Sequence, residues 1–297
     1  MGQPFATVGI FGKPRTDSIR EPLLRIIDLV HEAGLQVLVD AATRDATGLS
    51  DLPGHSLDDI GRQADVAVVL GGDGTMLGIA RALAPWRVPL IGINHGRLGF
   101  MTDIALDQMP EVLSAMLAGE YESDRRPLLE AEVLRDGRRH YQARALNDVV
   151  VSRGVAGGMV EFSVRVDGVT IYTQRADGVI LATPTGSTAY ALSANGPILH
   201  PSVQGLLLVP VAPQTLSNRP IALPDSCTIE IEVTDVRDAS AHFDMQTFSE
   251  LAPGDVVRAR RSEDFATLLH PRGYNYFDTL RQKLHWNYMP SEPRVRV

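Results

Sequence analysis

The sequence predicts an α/β domain with an open, parallel, Rossmann-like sheet, followed by an antiparallel all-β domain of the sandwich type. Up to about residue 126, short apolar runs alternate with segments of helical spacing, as a parallel sheet with crossover helices requires. Beyond residue 127, apolar residues recur at every second position, and the runs are joined by tight turns rather than by helices. The chain of 297 residues is long enough for two such cores.

The first domain is predicted to contain four buried strands. They fall at residues 7–12, 35–39, 66–70 and 88–93. Apolar residues at helical spacing between positions 23 and 30 predict the first connecting helix, which Gly34 is expected to end. Ligands of parallel sheets bind beyond the carboxyl ends of the strands, so the segments after residues 70 and 93 are the expected place of a site.

The second domain is predicted to be built from hairpins. The paired runs are residues 129–134 with 141–146, and 160–166 with 169–173, with further strands at 206–209, 228–233 and 256–260. An Asp-Gly pair lies in the turn of each hairpin, which favours a tight turn. Cys227 is the only cysteine, so an intrachain disulfide is excluded, and it is expected at a strand position with a structural role.

The most informative segment is the turn at residues 71–75, Gly-Gly-Asp-Gly-Thr, directly after the third strand. Its glycines lack the Cβ atoms that would keep a phosphate from the backbone, and Gly74 is expected at a positive φ. Thr75 is expected to cap the next helix. An anion beside a phosphate is repulsive unless it holds a cation or takes a proton, so Asp73 is interpreted as a catalytic base or a metal-associated carboxylate. By itself, the motif also fits a tight turn with a solvated aspartate.

A second polar segment, residues 183–197, contains five Ser or Thr, one tyrosine and two glycines. Together with the turn at 71–75, the Asn-Asp pair at 147–148 and the Arg-Ala-Asp-Gly run at 175–178, it resembles the NAD kinase family, in particular its proteobacterial members. The resemblance extends to the segment His-Pro-Arg-Gly-Tyr-Asn-Tyr-Phe at 270–277. Four ordered motifs at separate positions are a specific signal, whereas Gly-Gly-Asp-Gly alone also occurs in lipid kinases and phosphofructokinases.

The resemblance implies domains at residues 1–126 and 127–270, and a C-terminal segment at 271–297 whose helix returns to the first domain. The implied reaction transfers the γ-phosphoryl of ATP to the 2′-hydroxyl of the adenosine ribose of NAD, giving NADP and ADP. Asp73 would accept the hydroxyl proton. The implied cofactor is a divalent cation, Mg²⁺, held more by phosphates and water than by protein ligands.

The resemblance also implies a set of nucleotide-binding residues, expected in a cleft between the domains. They are Gly72, Gly74, Thr75, Asn94, Phe100, Asn147, Asp148, Arg175, Asp177, Thr188, Ala189, Tyr190, Ser193 and Gln246. Several have a structural alternative. The pair at 147–148 fits the start of a strand, and the two aromatic residues fit a core equally well. Arg175 is expected to favour NAD over NADH, with a solvated arginine as the alternative.

Composition excludes other classes of protein. The net charge of −8 argues against a nucleic-acid partner, and the histidine and cysteine spacing indicates no zinc site. The only lysines, Lys13 and Lys283, lie outside any P-loop sequence. No run of about 18 apolar residues and no leader-like start is found, so a cytoplasmic protein without membrane contact is expected, acting on NAD and ATP as a homo-oligomer, dimer or tetramer.

Two other functions remain open from the sequence. The first is a lipid kinase of the diacylglycerol type, which shares the Gly-Gly-Asp-Gly turn but needs an apolar channel for its acceptor. The second is a catalytically silent dinucleotide sensor. The polar character of residues 183–197 argues against the former, and the presence of Asp73 argues against the latter.

Overall fold

The computed structural model describes residues 5–13, 17–96, 99–154, 158–215 and 217–285. The chain divides into two compact units. Unit 1 comprises Met1–Asp124 with Thr267–Val297, and unit 2 comprises Arg125–Ala266. The parallel sheet of unit 1 and the antiparallel sheets of unit 2 confirm the predicted fold class.

The structure gives the following bounds. The strands are β1 (Thr7–Gly12), β2 (Gln36–Asp40), β3 (Gly54–His55), β4 (Val66–Gly71), β5 (Leu90–Asn94), β6 (Ile104–Ala105), β7 (Tyr121–Arg135), β8 (Arg138–Ala145), β9 (Asp148–Arg153), β10 (Val160–Val166), β11 (Val169–Ala176), β12 (Gly178–Ala182), β13 (Gly205–Val211), β14 (Ile221–Pro224), β15 (Ile229–Asp235), β16 (Ala239–Phe243), β17 (Thr247–Leu251) and β18 (Val256–Pro271). The α-helices are α1 (Arg20–Glu32), α2 (Ala41–Thr47), α3 (Leu57–Gln63), α4 (Asp73–Leu83), α5 (Met109–Leu117), α6 (Tyr190–Ser193) and α7 (Tyr276–Leu284).

Unit 1 is a parallel sheet with strand order β3-β2-β1-β4-β5. Leu268 and Leu269, near the end of β18, extend it by pairing in parallel with β5. Every residue of β4 and β5 is buried, as expected for central parallel strands covered on both faces. The register pairs Gly71 with Asn94, which brings the segments that follow these two strands to the same edge.

Unit 2 consists of two antiparallel sheets. One has the order β14-β13-β12-β9-β16-β17, and the other contains β11-β10-β15-β18 together with β7 and β8. A single apolar core takes side chains from both sheets, for example Phe162 and Ile231 from one, and Val179 and Phe243 from the other. Alternation of buried and less buried residues along β15 shows why period-two spacing predicted these strands.

The turns of the two predicted hairpins are confirmed. Asp136 and Gly137 have φ of 52° and 71°, and Asp167 and Gly168 have φ of 49° and 80°, as a two-residue turn between twisted strands requires. The end of α1 is confirmed as well, since Gly34 follows the capping residue with φ of 73°.

Three local predictions were wrong. Helix α4 begins at Asp73 with Gly72 as its N-cap, so Thr75 lies inside the first turn and does not cap it. Gly74 is helical and is absent from the positions with positive φ, because the helix starts before it. Cys227 lies in a bend before β15, where it is buried and its thiol donates to Pro224 O at 2.9 Å. Residues 286–297 of the predicted C-terminal segment lie outside the described residues.

In the part of the chain that the structure describes, no helix is long and apolar enough to cross a membrane.

Candidate functional site

The Asp73 carboxylate is held by a loop almost thirty residues further along the chain. Oδ2 accepts the Phe100 amide at 2.8 Å, and Oδ1 accepts the Met101 amide at 3.0 Å and the Thr102 hydroxyl at 3.3 Å. Asp73 is the first residue of α4, where the helix dipole favours a negative charge. The side chain is only partly buried, so a fixed carboxylate remains within reach of a ligand.

The glycines of the 71–75 turn have different surroundings. A Cβ atom added to Gly71 would lie 2.7 Å from Thr75 Oγ1, so this glycine makes room for Thr75 and not for a phosphate. Added Cβ atoms at Gly72 and Gly74 would meet nothing within 4 Å and would point into open space. The Thr75 amide already donates to Gly72 O at 3.0 Å. Of the three predicted phosphate contacts, Gly72 and Gly74 thus have open space on the side where a Cβ atom would lie.

Asn94 and Thr102 form a chain of hydrogen bonds that ends at the Asp73 carboxylate. Asn94 ends β5, is 4% exposed and donates through Nδ2 to Thr102 Oγ1 at 2.8 Å. The Gly99 amide donates to Thr102 O at 2.9 Å, which closes a tight turn around Asp73. A Cβ atom added to Gly99 would lie 2.1 Å from Asp73 Oδ1, so only glycine fits this position without a shift.

Phe100 is partly exposed, and Lys283 of α7 lies over its ring at 5.9 Å from the centroid. This is the outer limit of a cation–π contact. The aromatic ring predicted to line an adenine pocket is thus neither a core residue nor fully open to solvent.

A second cluster forms in unit 2, where three antiparallel strands begin or end together. Asp148 begins β9, and the register pairs it with Ala182 at the end of β12 and places Phe243, the end of β16, beside Val149. The Asp244 carboxylate accepts the amides of Leu146 (2.9 Å), Asn147 (2.7 Å) and Asp148 (3.1 Å). These hydrogen bonds hold the loop before β9 against the turn after β16.

The segment from Thr183 onward packs on the same loop. Thr183 donates through its amide to Asn147 O at 2.9 Å and through its hydroxyl to Leu146 O at 2.5 Å. A Cβ atom at Gly186 would lie 2.1 Å from Asn147 O, so the close approach requires glycine. The structure therefore brings the predicted pair at 147–148 together with the polar segment at 183–193.

Asp148 is the most perturbed carboxyl group of the site. It is 2% exposed, and its Oδ1 has no hydrogen-bond partner among the described residues. Burial, and then the negative charge of Asp244, raise the pKa of Asp148 to about 7. A carboxyl group with this pKa is protonated in part at neutral pH and can donate a hydrogen bond as well as accept one.

The predicted residues of the 183–193 segment lie on a short helical stretch. Thr188 donates to Thr185 O at 3.2 Å, and Ala189 precedes α6. Tyr190 is half-buried against the core behind β12, which leaves part of its ring accessible. Ser193 is exposed at the rim of a cavity of about 590 Å³, whose wall includes Arg219.

Arg175 and Asp177 lie at the other end of β12 from Ala182. Five residues of strand separate the two ends, which corresponds to roughly 15 Å. Arg175 is 55% exposed and its Nε donates to Glu161 at 2.6 Å, while Asp177 accepts from Arg153 Nε at 2.8 Å. The geometry thus separates these two predicted residues from the cluster at 146–148. Gln246 is exposed after β16, beside Asp244.

Sequence reasoning missed the contacts that hold the predicted residues in place. Thr102 and Asp244 are buried, and their roles depend on partners 29 and 96 to 98 residues away, which no local pattern reveals. Arg126 is 2% exposed and donates to Thr185 Oγ1 at 3.4 Å, behind the polar segment. A buried arginine next to a motif residue could not be recognised without the fold.

A carboxylate at a glycine turn between a parallel strand and a helix, in a chain without a P-loop lysine, is the arrangement expected of a phosphotransferase that contacts phosphate through backbone groups. Comparison with known proteins narrows this class. Residues 8–121 match the ATP-NAD kinase N-terminal domain, and residues 146–270 match the ATP-NAD kinase C-terminal domain. The chain belongs to the NAD kinase family.

Individual relatives agree. The chain is 55% identical over 289 residues to the NAD kinase of Cupriavidus pinatubonensis, covering 97% of this chain and 95% of the relative. It is 53% identical over 291 residues to the NAD kinase of Burkholderia pseudomallei, covering 98% and 97%.

Solved structures are similar over nearly the whole chain. Yeast NADH kinase complexed with NADH has a TM-score of 0.88 at 26% identity, covering 99% of this chain and 91% of the yeast chain. An NAD kinase from Archaeoglobus fulgidus in complex with ATP has a TM-score of 0.74 at 26% identity, covering 94% and 98%. The chain is an ATP-dependent NAD kinase that needs a divalent cation, and the interpretations as a lipid kinase or a silent sensor are set aside.

Proposed function

We propose that Asp73 is the base that accepts the proton of the 2′-hydroxyl of the adenosine ribose of NAD while the γ-phosphoryl of ATP is transferred to that oxygen. One observation carries the proposal. Asp73 is a fixed, partly exposed carboxylate at the glycine turn that ends β4, where ligands of parallel sheets bind.

In the proposed reaction, the ribose oxygen forms a bond to the γ-phosphorus, and the bond between that phosphorus and the oxygen bridging to the β-phosphate breaks. ADP leaves with the electron pair, and the ribose proton moves to Asp73 and then to solvent. A sugar hydroxyl is far too weak an acid to ionise at neutral pH, so a carboxylate within hydrogen-bond distance contributes about 10² to 10⁴-fold.

The rest of the rate acceleration comes from alignment of the reactants and from neutralisation of charge on the phosphates. A loose phosphoryl transition state requires little more than these from the protein. The open space over Gly72 and Gly74 supports a phosphate position there. We propose Mg²⁺ as the divalent cation. The cation would be held by phosphate oxygens and water. Its chemistry would be to neutralise charge on the phosphates.

For the nucleotide, we propose contacts with the cluster that the unit 2 loops form. Asn147 and Asp148 would hydrogen-bond base and ribose, with Thr188, Ala189, Tyr190, Ser193 and Gln246 as further contacts in unit 2. In unit 1, we propose Asn94 and Phe100 as contacts. The partial exposure of Tyr190 supports its inclusion. Asp148, with its pKa raised to about 7, would offer a proton or a lone pair to the ligand. Arg175 and Asp177 would define the shape of a more distant part of the pocket.

The experiment compares ADP and NADP formation by the wild type and by Asp73→Asn, with ATP, Mg²⁺ and NAD. Matched formation of both products by the wild type, and its loss in a variant that still binds NAD, supports the proposal. Turnover that survives nearly intact in Asp73→Asn would contradict it.

We further propose that the chain works in the cytoplasm, where ATP and NAD are both available, and that it assembles as a dimer or a tetramer. Sedimentation of the purified chain at micromolar concentration tests the assembly, and a monomer there would contradict it.

A further inference from the structure

The hydroxyl of Thr102 has only one direction in which it can donate. Asn94 Nδ2 is a donor, so Thr102 Oγ1 must accept from it at 2.8 Å. A hydroxyl has a single proton, and among the described residues the other hydrogen-bond partner of Thr102 Oγ1 is Asp73 Oδ1 at 3.3 Å. Asn94 therefore orients the Thr102 proton toward the carboxylate.

The two carboxylate oxygens of Asp73 differ in their hydrogen-bond partners. A carboxylate has about four lone-pair positions, two on each oxygen. Oδ1 accepts both the Thr102 hydroxyl and the Met101 amide, whereas Oδ2 accepts the Phe100 amide alone among the described residues. Oδ1 is thus saturated, and Oδ2 keeps one position for a donor from outside the protein.

Packing prevents the carboxylate from turning. Thr102 is fully buried, and Asn94 is fixed at the end of β5 by its register with Gly71. Gly99 leaves no room on the Oδ1 side, since even a Cβ atom there would lie 2.2 Å from Thr102 Oγ1. Rotation of the Asp73 carboxylate would break three hydrogen bonds at once.

We propose that Thr102 is a positioning residue for phosphoryl transfer: oriented by Asn94, its hydroxyl holds Asp73 so that Oδ2 is the oxygen that takes the proton of the acceptor. The proposal rests on the function of Asp73 proposed above. Thr102 touches no substrate, and its effect on the rate passes through the orientation of the carboxylate.

The test compares Thr102→Val, which removes the hydroxyl at nearly constant shape, with Thr102→Ser, which keeps it. Thr47→Val is the matched control, because Thr47 is a buried threonine whose hydroxyl donates only within α2, to Thr43 O at 2.7 Å and to Arg44 O at 3.3 Å. For each variant, kcat and KM for NAD are measured with ATP and Mg²⁺, along with the thermal midpoint.

Thr102→Val is expected to lower kcat about tenfold with KM for NAD within twofold, because a hydrogen bond to a charged group is lost at the reacting carboxylate. Thr102→Ser should keep kcat within about threefold, and Thr47→Val should keep kcat even if its thermal midpoint falls. An unchanged kcat in Thr102→Val would overturn the proposal, as would an equal loss in the serine variant.

A double-mutant cycle separates this proposal from the one it rests on. In an Asp73→Asn background, Thr102→Val should lower the residual kcat by less than about twofold, because the group it positions is gone. The same tenfold loss in both backgrounds would show that Thr102 acts by another route. If the wild type forms no ADP with NAD, the proposed function itself fails, whereas an active wild type with an indifferent Thr102→Val rejects only the positioning role.

Discussion

Asp73 in unit 1 and Asp244 in unit 2 both accept three hydrogen bonds from a remote loop, yet their surroundings differ. Asp244 is 5% exposed, and its donors are the amides of three consecutive residues, 146 to 148. Asp73 is partly exposed and combines two amides with one hydroxyl, which leaves an acceptor position on Oδ2 among the described residues. Hydrogen bonds from a remote loop therefore fix that loop in unit 2, whereas in unit 1 they fix a candidate base.

The difference shows that burial, and not hydrogen-bond count, separates a structural carboxylate from a candidate base. A buried carboxylate surrounded by amides stabilises the loop that surrounds it, and losing it leaves buried donors unpaired. Asp73 is also held by hydrogen bonds, but it lies at an open turn, so its carboxylate is oriented and stays partly exposed. Mutations at the two positions should consequently affect different measurable quantities.

Asp73→Asn is expected to have the largest effect on catalysis. Asparagine keeps the shape but is a very weak base, so kcat should fall about 10² to 10⁴-fold, or about 3 to 5 kcal/mol, while NAD still binds. Steady-state kinetics and NAD titration give the two quantities.

The counterpart in unit 2 is Asp244→Asn, in which one of the two oxygens becomes a donor. At least one of the amides that Asp244 accepts then loses its partner, and the free energy of unfolding should fall by about 1 to 3 kcal/mol. If Asp73→Asn destabilised the protein as much and kept its turnover, the distinction between the two carboxylates would be wrong.

How far the sequence predicts this arrangement depends on distance along the chain. The strand that ends in the glycine turn, the hairpin turns and the position of Asp73 follow from local patterns, and the structure confirms the strand and the turns. The first residue of α4 was misplaced because glycine and threonine are both acceptable caps, and only the observed hydrogen bonds choose Gly72.

Contacts across long stretches of chain could not be predicted. Asp244 joins residues 146 to 148 to the end of β16, and no pattern in the sequence around Gln246 indicates this contact. The position of Arg175 and Asp177 at the far end of β12 likewise depends on strand register. A motif indicates the kinds of residue in a site but not which of them lie side by side.

Asp148 should make stability depend on pH. Its folded pKa of about 7 lies above the ordinary aspartate value, so the folded state binds the proton more tightly than the unfolded state. The resulting stabilisation is complete below about pH 4 and is lost as pH rises through about 7. Between pH 5 and pH 8, this residue should lower the free energy of unfolding by at most about 3 kcal/mol.

Asp148→Asn is the variant that isolates this contribution, because asparagine does not titrate. Urea unfolding at pH 5 and at pH 8 should show a smaller decrease in the variant than in the wild type. His242, whose pKa is lowered by burial, titrates in both proteins and cancels in the comparison. Identical pH dependence in the two proteins would show that Asp148 is not buried as a neutral acid.

Substitutions at Gly99 and Gly186 test the two loops at positions where an added Cβ atom would clash with its neighbours. An alanine Cβ at Gly99 would meet the ends of two side chains, Asp73 Oδ1 and Thr102 Oγ1, which can shift. Gly99→Ala should therefore displace the carboxylate and lower kcat about 10 to 30-fold, at modest cost in stability.

At Gly186, the obstacle is the backbone oxygen of Asn147, which cannot move without its strand. Gly186→Ala should therefore lower the thermal midpoint more than Gly99→Ala does. Kinetics and thermal unfolding of both variants check the pair, and a Gly99→Ala protein with full kcat but a low midpoint would reverse the assignment.

Arg175→Gly should have the smallest effect, and it tests whether the far end of β12 belongs to the nucleotide pocket. The guanidinium lies at the wall of a cavity of about 400 Å³ and is held by Glu161 across the β10–β11 pair, with Asp235 at 3.9 Å.

A cation does not favour the positively charged nicotinamide of NAD, so any preference for NAD must come from the shape of the pocket or from these carboxylate contacts. We expect the wild type to prefer NAD, and the glycine variant to raise the ratio of kcat/KM for NADH to that for NAD about tenfold, the lower end of what a change in pocket shape gives. Arg258, which pairs with Glu132 and Glu230 and has no proposed role in the site, provides the control variant Arg258→Gln, in which the ratio should stay the same. If Arg175→Gly lost both activities equally, the arginine would serve general stability, and an unchanged ratio would place it outside the pocket.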